Sequence, residues 1–404
     1  MPTHREVPAL PLASWQMFSH GTTPRPDTIL SAEHTCFTTS GRAAIALGLE
    51  LLGVGPGHKV LVPTYHCPTM IAPIVKLGGS PLFYPLTSSG APDLEYIQQH
   101  DEHPVTAMLV PHYFGLPQPM TKIRDFCDEH QIALIEDCAH AFFGRADGHP
   151  IGAWGDVAIA SITKFFPAPD GGVLRINRPP AGSHAPALTR AAFAANVKAM
   201  IDVAELAAKY HRLRGLNTVL NALFSAKRKL RLRGQHPTHT AGENPVIDSS
   251  CLQTAPTAMQ AFDLELARLS PCWVSSALAR FTSTSRIAER RRINYARLCE
   301  ALSGHTGCTP LRPDLPKDAV PYVFPLRVQA PDEKHRELRR RGIPVFRWNM
   351  IWPGTPSIDG DIGLTWASQI FQLPCHQDLT EEDLDVIQRN VLQVCGERVG
   401  ANKT

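Results

Sequence analysis

The chain has 404 residues, of which 43% are apolar, 19% charged and 7% aromatic, the profile of a soluble globular protein with length for about two domains. Its 40 basic and 37 acidic side chains leave a net charge of +3. That balance excludes a protein built chiefly to coat nucleic acid or an anionic membrane.

Residues 1–30, with His4, Arg5, Glu6 and several prolines, read as an N-terminal arm without the apolar core of a secretory signal. From about Ser31 to Asn177, short apolar or β-branched runs alternate with helical stretches. Strands are expected at Lys59–Pro63, Pro81–Tyr84, Val105–Val110, Ile132–Ile135, Val157–Ile162 and Gly172–Ile176, and helices at Ala43–Leu52, Thr69–Leu77 and Met120–His130. This βαβ rhythm predicts an α/β fold: a mostly parallel sheet with helices on both faces and ligands at the carboxyl ends of its strands. Leu188–Arg233 reads as helical, and between Leu206 and Gly242 there are eight Lys or Arg and no acidic residue. Gly234–Asp248 reads as a long loop. Helical periodicity resumes near Leu252 and runs to Leu302, followed by a strand at Tyr322–Val328 and helices at Glu333–Arg341 and Glu381–Val394, the last capped by Thr380. The expected organisation is a large domain over 31–260, with the basic segment 188–248 inside it, and a smaller C-terminal α+β domain over 261–404. No run reaches the ~18 apolar residues of a membrane span. The ten cysteines include no C-x2–4-C pair, so no metal site is expected and a reducing, cytoplasmic setting is.

Three stretches carry chemistry. Thr38-Thr-Ser-Gly-Arg-Ala-Ala44 is a small-residue turn opening a helix, where unpaired N–H groups, the positive end of the helix dipole and Arg42 suit a phosphate. A Ser-Gly turn there is also an ordinary N-cap. Ile135-Glu-Asp-Cys-Ala-His140 ends a buried strand in two carboxylates, each of which needs a cation or strong donors. A protonated pyridine nitrogen is one such partner; a cap of the next turn is the plainer one. Lys164, after the apolar run from Val157 and before Phe165-Phe-Pro-Ala-Pro-Asp-Gly171-Gly172, sits where desolvation lowers an ammonium pKa and leaves an amine able to form a Schiff base. The bland alternative is a lysine that snorkels to solvent.

In this order along one doubly wound domain, the three stretches resemble the fold-type I enzymes that use pyridoxal 5′-phosphate. More narrowly, the chain is similar to the DegT/DnrJ sugar aminotransferase family. The likeness is carried by Ser40-Gly-Arg-Ala-Ala44, Gly53-Val-Gly-Pro-Gly57 before Val60–Pro63, Val110-Pro-His-Tyr-Phe-Gly115, Ile135–His140, Gly155-Asp156, Lys164 with Gly171-Gly172, and Leu373-Pro-Cys-His-Gln-Asp-Leu-Thr-Glu381. The resemblance implies that Lys164 carries the cofactor and acts as general acid and base, and that Asp137 holds the pyridine nitrogen. It further implies that Gly41, Arg42 and Ala43 bind the cofactor phosphate through N–H groups, joined by the Ser161 hydroxyl. His140 stands where the family has a glutamine near the phenolic oxygen, and Arg42 where it usually has threonine. Ser161 lies three residues before the lysine, where the family usually has five. Where the family has a second aromatic in Pro63-Thr-Tyr-His-Cys67 this chain has Cys67, so the ring stacked on the cofactor is expected to be Tyr65 or His66. The resemblance also implies a homodimer with a shared site, an amino donor such as glutamate, and a keto acceptor on a nucleotide-linked sugar or related cyclic polyol.

His112 is expected either in the cofactor pocket or in structural hydrogen bonding. Arg347, beside Trp348, is a candidate for a substrate carboxylate, with core packing of the tryptophans as the alternative. Lys227, Arg228 and Arg231 are candidates for a substrate diphosphate, against a solvated helix face. Arg290-Arg-Arg292 reads as surface. Two other function classes suit the same residues: a cofactor-binding regulatory protein without turnover, and a pyridoxal-dependent dehydratase. The joint presence of lysine, aspartate and phosphate turn weighs against the first, and retention of Lys164 against the second.

Overall fold

The computed structural model describes residues 6–19, 21–32, 34–100, 104–182, 184–218 and 254–396. The alternating half of the chain supplies strands β1 (Thr35–Thr38), β2 (Lys59–Pro63), β3 (Ser80–Tyr84), β4 (Ala107–Pro111) and β5 (Ala133–Asp137), a short hairpin β6–β7 (Arg145–Ala146, His149–Pro150), β8 (Val157–Ser161) and β9 (Gly172–Ile176). Seven of these form one sheet in the order β1-β9-β8-β5-β4-β2-β3. From β3 to β8 all neighbours are parallel, whereas β9 is antiparallel to both β8 and β1. Central strands such as Ala107–Pro111 and Val157–Ser161 are buried along their whole length, as a sheet covered on both faces requires. Helices α1 (Gly41–Leu51), α2 (Pro68–Lys76), α3 (Leu94–Gln99) and α4 (Met120–Glu129) connect them. In α4 the buried side holds Ile123, Phe126 and Cys127, as its periodicity predicts.

The reversal at β9 positions the site. Without a crossover helix, the loop 162–171 stays at the carboxyl edge of the sheet, and Thr38 at the end of β1 pairs with Gly172. A Cβ on Gly172 would stand 2.3 Å from the Ser40 carbonyl, so only glycine lets β9 begin against the start of α1.

The second half supplies α5 (Phe193–Lys209), α6 (Ala255–Gln260), α7 (Leu264–Ala267), α8 (Trp273–Phe281) and α9 (Thr284–Leu302). A three-stranded antiparallel sheet follows, β10 (Cys308–Pro310), β11 (Val323–Val328) and β12 (Ile370–Pro374), with α10 (Pro331–Arg340), α11 (Gly363–Gln369) and α12 (Glu381–Cys395). One hydrophobic core runs through the large sheet and takes in Val320, Tyr322, Trp348 and Trp366. A second joins Val7 to Leu298, Phe324, Phe371, Leu384 and Val391. Thr380 opens α12 with a capping box to Asp383. Among the described residues no helix is long and apolar enough to cross a membrane.

Several expectations need correction. The helix expected from Leu188 begins only at Phe193, because Thr189 exchanges backbone hydrogen bonds with Arg268 and Ser270 and is held extended. The remainder of that span beyond 218, and the loop expected at 234–248, lie outside the described residues. Strands β1, β10 and β12, of four, three and five residues, are not among the expected strands. The arginine run is a surface feature only in part: Arg291 is fully buried, whereas Arg290 and Arg292 are half-buried and Arg290 reaches Glu381.

Candidate active site

A cavity of about 310 Å³ opens at the carboxyl ends of β4, β5 and β8. The start of α1 closes one end with Thr39, Ser40, Gly41 and Arg42; Tyr322, Phe346 and Trp348 close another. Lys164, Asp137, His140, His112 and Ser161 all face it.

The end of β5 explains how two adjacent carboxylates divide. Successive strand residues point to opposite faces, so Glu136 turns away from Asp137. Glu136 is fully buried and accepts from the N–H groups of Gly152 at 2.7 Å, Trp154 at 2.8 Å and Gly155 at 3.1 Å, and from His112 Nε2 at 3.0 Å. Because His112 Nδ1 accepts from Gln118 N–H at 3.0 Å, the proton sits on Nε2 and points at Glu136. Burial pushes the Glu136 carboxyl up, but His112 and the Gly152 and Gly155 N–H groups outweigh it and hold the group below its ordinary value. His112 therefore lines the cavity and anchors Glu136. Cys138 also approaches His112 and Glu136 closely enough to suggest a metal site. The carboxylate is already saturated by donors, and burial raises the thiol far above its ordinary value.

Asp137 faces the cavity, with Oδ1 accepting from Ala139 N–H at 2.8 Å. It is thus both the turn cap of the plain reading and a cavity carboxyl. Burial raises its pKa, against the Ala139 N–H and the nearby Lys164 and His112. Lys164 ends a one-turn 3-10 helix, Ile162–Lys164, and its Nζ lies 5.3 Å from the centroid of the Tyr322 ring. His140 is buried, 4.5 Å from the Tyr322 ring and 4.8 Å from Trp348, centroid to centroid. Burial, reinforced by Lys164, holds it well below its ordinary pKa, so the imidazole is neutral. Phe114 N–H donates to its Nδ1 at 3.4 Å, which leaves the proton on Nε2.

At the turn that opens α1, Ser40 is the N-cap and its Oγ accepts from Ala43 N–H at 3.2 Å. Ala43 accordingly needs correction: its N–H is spent on the cap and it does not line the cavity. Gly41 and Arg42 do, and burial lowers the Arg42 pKa. Ser161 Oγ lies 3.2 Å from Thr163 Oγ1, a second cavity hydroxyl that the sequence did not flag.

Other expectations are redistributed. Neither Tyr65 nor His66 lines the cavity; Cys67 does. Tyr65 packs among Tyr113, Trp348 and Trp366. His66 is buried between the Pro63 carbonyl and Trp352 N–H, each at 2.9 Å, and burial lowers it to about 4. Arg347 also stands off the cavity, held by Asp332 at 2.8 Å and the Ser368 carbonyl at 2.7 Å, while its neighbour Trp348 faces in. Lys227, Arg228 and Arg231 lie outside the described residues. Of the basic segment's described part, Lys209 pairs with Glu6 and Arg212 with Asp383, each at 2.8 Å, so carboxylates distant in sequence offset what looked uncompensated. Asp170, Tyr322 and Phe346 were missed. Asp170 adjoins the glycine pair, which could have flagged it; nothing local marks Tyr322.

Residues 27–226 match the model of the DegT/DnrJ/EryC1/StrS aminotransferase family. The chain is 29% identical over 151 residues to GDP-perosamine synthase of Vibrio cholerae, covering 37% of this chain and 41% of that one. It spans about a third to a half of the length of the curated relatives it matches. Among solved structures it resembles the aminotransferase TlmJ from Streptoalloteichus hindustanus, with a TM-score of 0.61 at 20% identity over 95% of this chain and 97% of that one. It also resembles NtdA from Bacillus subtilis with bound cofactor PMP, with a TM-score of 0.55 at 17% identity over 89% and 73%. At those identities the likeness is one of fold.

The two carboxyls should move stability in opposite directions. A raised pKa makes the stability tied to Asp137 complete below its ordinary value of 3.8 and lost as pH rises through the folded value. Asp137→Asn, which cannot ionise, should therefore raise the Tm of the cofactor-free chain at neutral pH, the gap closing in acid. Glu136, with a lowered pKa, contributes stability above its ordinary value of 4.5 that is lost as pH falls through the folded value, so Glu136→Gln should lower the neutral Tm. Melting curves from about pH 3 to 8 read both signs.

Proposed function

Because this chain belongs, through residues 27–226, to the DegT/DnrJ/EryC1/StrS aminotransferase family, we propose that it is a pyridoxal-phosphate-dependent aminotransferase. Its amino donor is an amino acid, glutamate first, and its acceptor a keto sugar, nucleotide-linked or a related cyclic polyol. The observation that carries this reading is one cavity faced by Lys164, by the buried Asp137 carboxyl and by the N-terminus of an eleven-residue helix. These groups fit the cofactor. A buried carboxyl with one oxygen on Ala139 N–H suits a pyridinium partner, and the α1 N-terminus with Gly41 and Arg42 suits a phosphate.

The bound cofactor supplies an electron sink for the carbon that loses its proton. The Lys164 amine would hold the cofactor and, as general acid and base, would move the proton at the substrate carbon. Asp137 would hold the ring nitrogen. His140, neutral with its proton on Nε2, would donate where a glutamine amide does in the resembling family. Gly41 and Arg42 N–H groups and the Ser161 hydroxyl would hold the phosphate. Borohydride reduction of chain loaded with pyridoxal phosphate, followed by peptide mapping, should put the phosphopyridoxyl adduct on Lys164; recovery on another lysine overturns the reading.

The acceptor's diphosphate falls to Lys227, Arg228 and Arg231. Replacing all three with alanine should raise the acceptor KM at least about tenfold, about 1.4 kcal/mol, and leave the half-reaction with glutamate unchanged. An unmoved KM shifts the acceptor to a free sugar or cyclitol.

The partner is a second copy. Phe193, Val197 and Met200 lie at i, i+4 and i+7 on α5 and are 83%, 39% and 45% exposed, an apolar stripe that a soluble chain covers by association. Val197→Asp with Met200→Asp should give a monomer by light scattering and weaken cofactor binding. A dimer that persists places the contact elsewhere. The nine described cysteines are free thiols, in keeping with a reducing cytoplasmic setting.

A further inference from the structure

Arg291 is the largest fully buried side chain of the described residues. It lies on α9, and nothing in the reaction outlined above uses it. Burying a guanidinium carries a large desolvation penalty, usually offset by a carboxylate. Here the nearest such group is engaged elsewhere: Asp378 accepts from Arg286 at 3.0 Å and from Leu12 N–H at 3.2 Å. Among the described residues, the hydrogen bonds of Arg291 all go to neutral oxygens. Nη2 donates to the Lys164 carbonyl at 2.8 Å, Nη1 to the carbonyls of Pro321 and Tyr322 at 3.0 and 2.9 Å, and Nε to Gln377 Oε1 at 2.9 Å. Gln377 in turn donates to the Phe165 carbonyl at 2.9 Å, and the guanidinium lies 4.4 Å from the centroid of the Phe165 ring.

These contacts converge on two cavity residues. Lys164 ends the turn after β8; Tyr322 immediately precedes β11; the lysine Nζ sits 5.3 Å from the tyrosine ring centroid. One planar cation grips the main chain of both. An apolar side chain of similar length would fill the space and avoid the desolvation penalty, but could not tie the two carbonyls together.

We propose that Arg291 is a positioning residue for Lys164, its buried guanidinium fixing the backbone of the lysine and of Tyr322 so that amine and ring meet across the cavity. The proposal rests on the role given to Lys164 above. Nη2 reaches the Lys164 carbonyl, so the guanidinium charge sits on the lysine's own main chain. The other charged or titratable groups on the shared cavity are Asp137, His140, His112, Arg42, Asp170, Cys67 and Tyr322. Burial lowers Arg291 itself to about 10, so it remains a cation at neutral pH.

The test uses Arg291→Met, Arg291→Lys and, as a control on the same helix, Arg290→Met. In the cofactor-free chain, the pH midpoint of Lys164 acetylation by acetic anhydride is read by peptide mass spectrometry against exposed Lys198. In the chain loaded with pyridoxal phosphate, visible circular dichroism at equal occupancy reports how the bound chromophore is held. Arg291→Met should raise the Lys164 midpoint by roughly half a pH unit or more, since a neighbouring like charge is removed. It should also cut the visible signal by about half or more. Arg291→Lys should leave the midpoint in place but lose visible signal, because an ammonium cannot reproduce the planar fork. Arg290→Met should change neither. A lower Tm with midpoint and visible signal both unmoved would make Arg291 a structural brace only and overturn the proposal. If Arg291→Met does not fold, Arg291→Lys decides alone, an unchanged visible signal being the negative result. Absence of a cofactor adduct on wild-type Lys164 would instead sink the functional reading, and the acetylation arm would still judge Arg291.

Discussion

A carboxylate taken out of water must find donors or a cation, and the end of β5 buries two in succession. The pleat of the strand sends them to opposite faces. Glu136 is met by three backbone N–H groups and a histidine whose tautomer is fixed by its other nitrogen. That saturation ties the turn 152–155 and the end of β4 to the end of β5. Asp137 is left with one backbone donor and an open side on the cavity. The same strand end is thus closed chemically behind and available in front, and the stability lost by burying Asp137 is tolerable because Glu136 stabilises the frame around it.

The topology supplies the remaining constraint. With β9 reversed, the loop bearing Lys164 and the turn bearing Gly41 meet at one edge, and Gly172 permits the approach at the point where a side chain would collide with Ser40. The aromatic wall arrives from segments beside the small sheet. Tyr322 and Trp348 belong to the large core, although Tyr322 immediately precedes β11 and Phe346, two residues before Trp348, bridges to Gln372 of β12. Buried arginines on α9 join the parts: Arg286 reaches Asp378, which holds Leu12 of the N-terminal arm, and Arg291 reaches Lys164.

Much of this was legible in the sequence because it is local. Strand alternation, the Ser40 cap, the two carboxylates after Ile135 and the lysine before Gly171-Gly172 are patterns within ten residues or so, and the cavity brings Lys164, Asp137, Gly41, Arg42, His140 and Ser161 together. What was not legible depends on pairing at long range. Lys209 and Arg212 look uncompensated until Glu6 and Asp383 come beside them. Arg291 looks like one cation of a surface run until the carbonyls of residues 164, 321 and 322 converge on it. Tyr65 and His66 looked equally able to face a ligand because sequence does not fix where a loop turns its rings; each is consumed in packing or backbone contacts.

The loss of those two rings from the cavity changes how a flat ligand is held. On the side of Pro63-Thr-Tyr-His-Cys67 the cavity offers the small Cys67, whereas the rings facing it are His112, His140, Tyr322, Phe346 and Trp348. Three of those five, Tyr322, Phe346 and Trp348, come from segments adjoining the small sheet, and Trp348 is backed in turn by Tyr65. Ring contact at this site therefore depends less on the large sheet than on where Tyr322 and Trp348 are held against it. A ring moved by a fraction of an ångström loses a sizeable part of its dispersion contact. The buried hydrogen bonds that fix the Tyr322 backbone to that of Lys164 thereby set the position of that wall, and a guanidinium whose hydrogen bonds among the described residues all go to neutral oxygens has a reason to be retained inside the protein.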